Sequence, residues 1–154
     1  GVMVYARTKQ AAAKLSQLVQ EGQLVKEYRA LVHGTPPEGG VLEDFLFKDS
    51  RKNKVFVVKR QRAGVKKARL EFRRLSEGEN SLVRIRLHTG RSHQIRVQFS
   101  SRGMPLVGER KYAVLEDDCE IALWSHRIEF THPVTKDRMV FQKQPPQIFP
   151  WDQL

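Results

Sequence analysis

The chain has 154 residues, 40% of them hydrophobic and 29% charged, with a formal net charge of +11. That length is enough for one domain with a real core and too short to expect two. No apolar run approaches the roughly 18 residues of a membrane span, and the first residues lack the basic-then-apolar pattern of a secretory leader.

Gly1 opens the sequence abruptly, on residues 2–6, which are apolar and β-prone like half a strand, and without an initiator Met. The expectation is that residues precede it. Thr8 is a suitable N-cap, and Ala11, Ala12, Leu15, Leu18 and Val19 then recur at helical spacing until Gly22. This predicts an amphipathic helix over residues 9–21 whose apolar stripe is core. From Val25 the period changes to that of strands. Strands are predicted at residues 27–32, 41–47 and 54–59, and then at 68–73 and 83–87, where apolar and charged residues alternate strictly. Thr89-Gly90-Arg91-Ser92 breaks the last of these, and Ser92 is placed to cap a short helix from His93 to about Arg102 with Ile95 and Phe99 inward. Two more strands are predicted near 121–130 and 139–142, with a proline-rich tail lying irregularly on the surface. Six to eight strands and two helices make an α+β domain with a mixed, mostly antiparallel sheet spanning residues 1–154.

The charge is unevenly placed. Residues 48–74 carry twelve Lys and Arg against Asp49 and Glu71, so nearly all the excess lies in one stretch. Such a stripe is the electrostatic footprint of a polyanion, nucleic acid before others. A solvated basic hairpin that binds nothing is the plainer alternative. The lone Cys119 rules out an internal disulfide or a multi-cysteine zinc site. Its neighbours Asp117, Asp118 and Glu120 would raise a thiol pKa, so it is read as a spectator and fits a reducing cytosol. The five histidines show no ligand spacing, and no metal is expected.

The segment from Leu87 to Val97 is the most informative. A strand delivers the chain to a glycine turn that opens a helix with Arg91 and His93 at its start. Arg96 follows His93 at i+3, on the same face, between apolar Ile95 and Val97. A guanidinium among apolar neighbours is costly unless a carboxylate or phosphate meets it, so an acid missing from these residues is expected opposite Arg96, and none of the acids present is assigned that role.

Thr89-Gly90-Arg91-Ser92-His93-Gln94-Ile95-Arg96-Val97 resembles the Thr-Gly-Arg-Thr/Ser-His-Gln-Ile/Leu-Arg-Val signature of the RluA-like family of RNA pseudouridine synthases. Weaker matches follow that family's order: residues 1–8, Lys26 to Gly34 around Tyr28, residues 103–108 with Lys111 and Tyr112 after them, and Phe130-Thr131-His132-Pro133. Gln98, Glu109 and Trp124 stand where the family often has His, Asp and His. The resemblance implies the pseudouridine synthase fold, isomerisation of uridines in rRNA or tRNA, no cofactor, and a soluble, monomeric cytoplasmic enzyme. It implies that Tyr28 packs against the target base and assists proton transfer, and that Arg96 pairs with a catalytic aspartate. That aspartate would lie five residues before Gly1, so these 154 residues alone are expected to be inactive. Lys26, Arg60, Arg62, Lys66, Lys67, Arg91 and His93 are the expected RNA contacts. The rival reading is a basic RNA-binding module without catalysis.

Overall fold

A computed structural model describes residues 1–153. In chain order the elements are α1 (Lys9–Gln20), β1 (Val25–His33), β2 (Gly39–Asp49), β3 (Lys54–Val58), β4 (Val65–Arg74), β5 (Asn80–Leu87), α2 (Gln94–Ser100), β6 (Leu123–Thr131), β7 (Arg138–Gln142) and a 3₁₀ turn at Trp151–Gln153. The strands form one sheet in the order β3-β2-β4-β5-β1-β6-β7. Every pairing among the described residues is antiparallel, so the parallel component expected of a mixed sheet does not occur.

The strict alternation in β4 and β5 gives the sheet two unlike faces. On the front, Ala30, Val32, Leu70, Phe72, Val83 and Ile85 meet Ile95 and Phe99 of α2 in the main core. The helix α1 covers the neighbouring part of that face, where Leu15 and Leu18 pack with Leu24, Ile128 and Phe130. The Thr8 hydroxyl accepts from the Ala11 N–H at 3.1 Å, the cap expected of it, and Gly22 takes φ +68° just past the helix end. Residues 2–6 form no strand, although the Val2 N–H donates to the Ser125 carbonyl at 2.9 Å and the Ser125 hydroxyl donates back to Val2.

Two further expectations are corrected. Ser92 does not cap α2; His93 occupies that position in left-handed geometry, φ +50°, with no side-chain cap. Nor is the tail merely superficial, because Trp151 is buried with Leu31, Val107 and Ala122 on the back of the sheet. A tail with no periodicity can still be anchored by one large aromatic, which buries enough apolar area to hold it down.

Candidate active site

The turn between β5 and α2 is stapled to β4 by Gln94, which is buried. Its carbonyl oxygen accepts from the Thr89 hydroxyl at 2.8 Å and the Arg91 N–H at 3.0 Å, and its amide donates to the Arg69 carbonyl at 3.1 Å. Four residues on, Gln98 donates to the Leu42 carbonyl and to Asp44, tying α2 to β2. These bonds fix the azimuth of α2 and hence the direction of Arg96.

Arg96 meets its acid within the chain. Its Nε and Nη2 donate to Oε1 and Oε2 of Glu109 at 2.8 and 2.7 Å, a bidentate pair in which the Glu109 side chain is wholly buried and Arg96 is 22% exposed. The carboxylate expected from outside these residues is thus met by one inside them, and the burial of Arg96 does not by itself require an upstream acid. Oε2 also accepts from the backbone N–H groups of Arg110 and Lys111 at 2.9 and 3.0 Å. Burial pushes the Glu109 carboxyl up, but the Arg96 and backbone hydrogen bonds with the Arg96 charge outweigh it and hold it below its ordinary value. The Glu109 hydrogen bond likewise raises Arg96, which stays charged.

The backbone that delivers Glu109 needs a glycine before it. Gly108 has φ +82°, and a Cβ there would collide with the Glu120 carbonyl. Beyond it, Tyr112 lies against the Arg96 guanidinium, 5.4 Å from ring centroid to Cζ. The Tyr112 hydroxyl accepts from the Val55 N–H at 3.0 Å and lies 2.7 Å from His93 Nδ1. Accepting from Val55 and donating to Nδ1 would use the phenol in both its roles, an arrangement that goes with a neutral His93 protonated on Nε2. The direction of its pKa agrees: burial, then the Arg96 charge, lowers His93.

Other expected site residues fall into separate places. Tyr28 is half-buried on the front face beside Ser125, at a hollow of about 280 Å³ also lined by Val2, Leu15, Val19 and Lys26. Burial raises its phenol, with the Ser125 hydrogen bond opposing. The recorded hydrogen bonds and ion pair of Arg96 go to Glu109 and none to Tyr28. Lys66 and Arg91 meet Lys48 around a second hollow of about 190 Å³ at the start of α2. The Lys26 ammonium lies near Gly90, between this turn and the Tyr28 hollow. Arg91 Nε donates to the Lys67 carbonyl at 2.9 Å. Arg62 lies over the Phe47 ring at 4.7 Å, and Arg60 is exposed nearby. Lys67 alternates with buried Ala68 and so points to the back of the sheet, away from Lys66. Among the described residues no His, Cys, Asp or Glu side chains gather in threes as a metal would need.

Three residues were missed from the sequence as parts of this site: Gln94, Glu109 and Tyr112. All three lie inside or beside the runs that carry the family resemblance, but only the fold shows that they hold Arg96 and its turn.

The architecture and these runs place the chain in a known class. Residues 1–101 match the RNA pseudouridylate synthase family, and the chain belongs to that family. It is 31% identical to an RNA pseudouridine synthase of Aquifex aeolicus, covering 97% of this chain and 51% of that protein. It is 30% identical to the ribosomal large subunit pseudouridine synthase D of Pseudomonas aeruginosa, over 98% and 51%, and 29% identical to the Vibrio cholerae protein of that name, over 95% and 49%. The chain thus spans about half the length of these relatives. Its fold matches human RNA pseudouridylate synthase domain containing 4 with a TM-score of 0.77 at 22% identity, covering 96% of this chain and 67% of that one. Human RNA pseudouridylate synthase domain containing 1 gives 0.76 at 21%, covering 95% and 64%.

Proposed function

We propose that this chain is part of the catalytic domain of an enzyme that converts particular uridines of structured RNA to pseudouridine. The observation that carries the reading is Arg96, a guanidinium locked by buried Glu109 and Tyr112 at the start of α2, next to the basic hollow of Lys48, Lys66 and Arg91.

The reaction breaks the N1–C1′ bond, turns the uracil and joins C5 to C1′; the C5 proton leaves and N1 gains one. A carboxylate must be ionised to act on C1′ or its sugar, and it stays so beside a fixed positive charge. Glu109 uses Nε and Nη2, so a second acid would approach Arg96 from the Nη1 side. That acid is an aspartate of the complete protein, as the resemblance implies. The base must leave its stack, and Tyr28 offers an aromatic face at an open hollow to receive it. Lys26, Arg60, Arg62, Lys66, Arg91 and Lys67 hold phosphates, while neutral His93 offers its Nε2–H to the RNA. The names of the relatives favour large-subunit ribosomal RNA over tRNA. The complete protein is a monomer that works in the cytoplasm.

The test uses the complete protein with ribosomal and transfer RNA, scoring carbodiimide labelling of pseudouridine and release of the C5 proton. Product at defined uridines is expected. RNA binding without product, the upstream aspartate being intact, would establish the non-catalytic module instead.

A further inference from the structure

Lys67 apart, the back of the sheet holds charge that the proposed active site does not use. Cross-strand register sets Arg73 of β4 opposite Arg84 of β5, and Arg84 opposite Arg29 of β1, a row of three guanidinium side chains on adjacent strands. The next row reads Glu71, Arg86, Glu27 and Arg127 across β4, β5, β1 and β6. The alternating row has as many carboxylates as guanidiniums. The arginine row has none, and like charges directly opposed across strands are unfavourable.

Its acids are few and loosely engaged. Glu27 lies 3.7 Å from both Arg29 and Arg84, beyond hydrogen-bond distance, and Glu71 pairs with His88 at 3.5 Å. Arg127 is taken by Glu129 at 2.9 Å. Among the described residues no ion pair engages Arg73 or Arg86. Nη1 of Arg29 is buried with no acceptor, a costly state for a guanidinium N–H. Over these rows lies an open hollow of about 570 Å³ whose charged lining is Arg73, Arg84, Arg86 and Arg127 against Glu27 and Glu71, an excess of guanidinium. Its β2 rim is Gly39, Gly40 and Val41, so only one short side chain stands on that side.

We propose that this hollow is a second RNA-binding site, in which Arg73, Arg84 and Arg86 hold the phosphodiester backbone of RNA on the face opposite α2, with the half-buried Arg29 adding its charge from behind. Arginine without lysine suits phosphate oxygens, which a planar fork meets two at a time. Charge complementarity and continuity favour RNA over an acidic peptide. From Arg73 the same side of β4 leads past Glu71 and through Arg69, itself 3.5 Å from Glu43, to Lys67, whose carbonyl holds Arg91 at the start of α2. A basic track thus joins the back hollow to the proposed active site, and the inference rests on that reading of the site as RNA-binding.

The experiment measures RNA affinity of the complete protein against salt for wild type, Arg84→Ala/Arg86→Ala and Arg84→Lys/Arg86→Lys, with circular dichroism to check folding. Each phosphate contact contributes about 0.9 to the slope of log K against log salt, so the alanine pair should flatten it by roughly 1.8 and weaken binding to all RNAs alike. The lysine pair should retain most of the slope, because charge persists. Wild-type protein that modifies RNA while the folded alanine pair keeps affinity and slope overturns this inference alone. Wild-type protein that binds no RNA overturns both this inference and the proposed function. Should the alanine pair misfold, Arg84→Ala alone is expected to flatten the slope by roughly 0.9, and an unchanged slope refutes the site.

Discussion

Replacing Glu109 by glutamine preserves its volume and removes its charge. Oε1 and Oε2 together accept two bonds from Arg96 and two from backbone N–H groups. An amide offers one acceptor and turns an NH₂ toward donors, so at least one N–H loses its partner. Removing one member of a buried ion pair costs about 3–5 kcal/mol, and the 22% exposure of Arg96 lets water recover part of that, placing the cost near 3 kcal/mol. For a chain of this size the melting temperature should fall by roughly 6–12 °C, read by circular dichroism at pH 7. The pH dependence has a definite sign. Glu109 has a folded pKa below its ordinary 4.5, so its contribution is present above 4.5 and is lost as pH falls through the folded value. The gap between wild type and Glu109→Gln should therefore be constant near neutrality and close in acid. A variant melting within about 2 °C of wild type, or a gap that widens as pH falls below 4.5, would show that the pair holds nothing in place.

In the complete protein, Arg96→Ala should cut pseudouridine formation by roughly 100- to 1,000-fold or more while RNA binding persists; near-normal turnover removes Arg96 from the mechanism. Tyr112→Phe takes the acceptor from the Val55 N–H and the donor from His93, and should cost about 1–2 kcal/mol by urea unfolding. The His93 imidazole should titrate below its ordinary 6.5 by NMR, and lower still in Glu109→Gln, since the Glu109 charge opposes the downward shift. Gly108→Ala combines positive φ with a collision at the Glu120 carbonyl and should destabilise by about 2 kcal/mol or more, measured by thermal melting.

Local chemistry was enough to place most elements. Thr8 and Gly22 bracket α1 because capping and left-handed backbone are properties of single residues. The alternation in β4 and β5 specified a half-buried sheet because side-chain period in a strand is two. The apolar flanks of Arg96 announced that an acid must face it. What no local rule could name was which acid. Glu109 reaches Arg96 only because the chain crosses the end of β1, with Val107 bonded to Leu31, and turns at Gly108. The partition of Lys66 from Lys67, and the row of arginines from β4, β5 and β1, depend likewise on strand order and register. Those are long-range pairings, decided by how the whole sheet buries its front face, and a sequence read residue by residue carries only their ingredients.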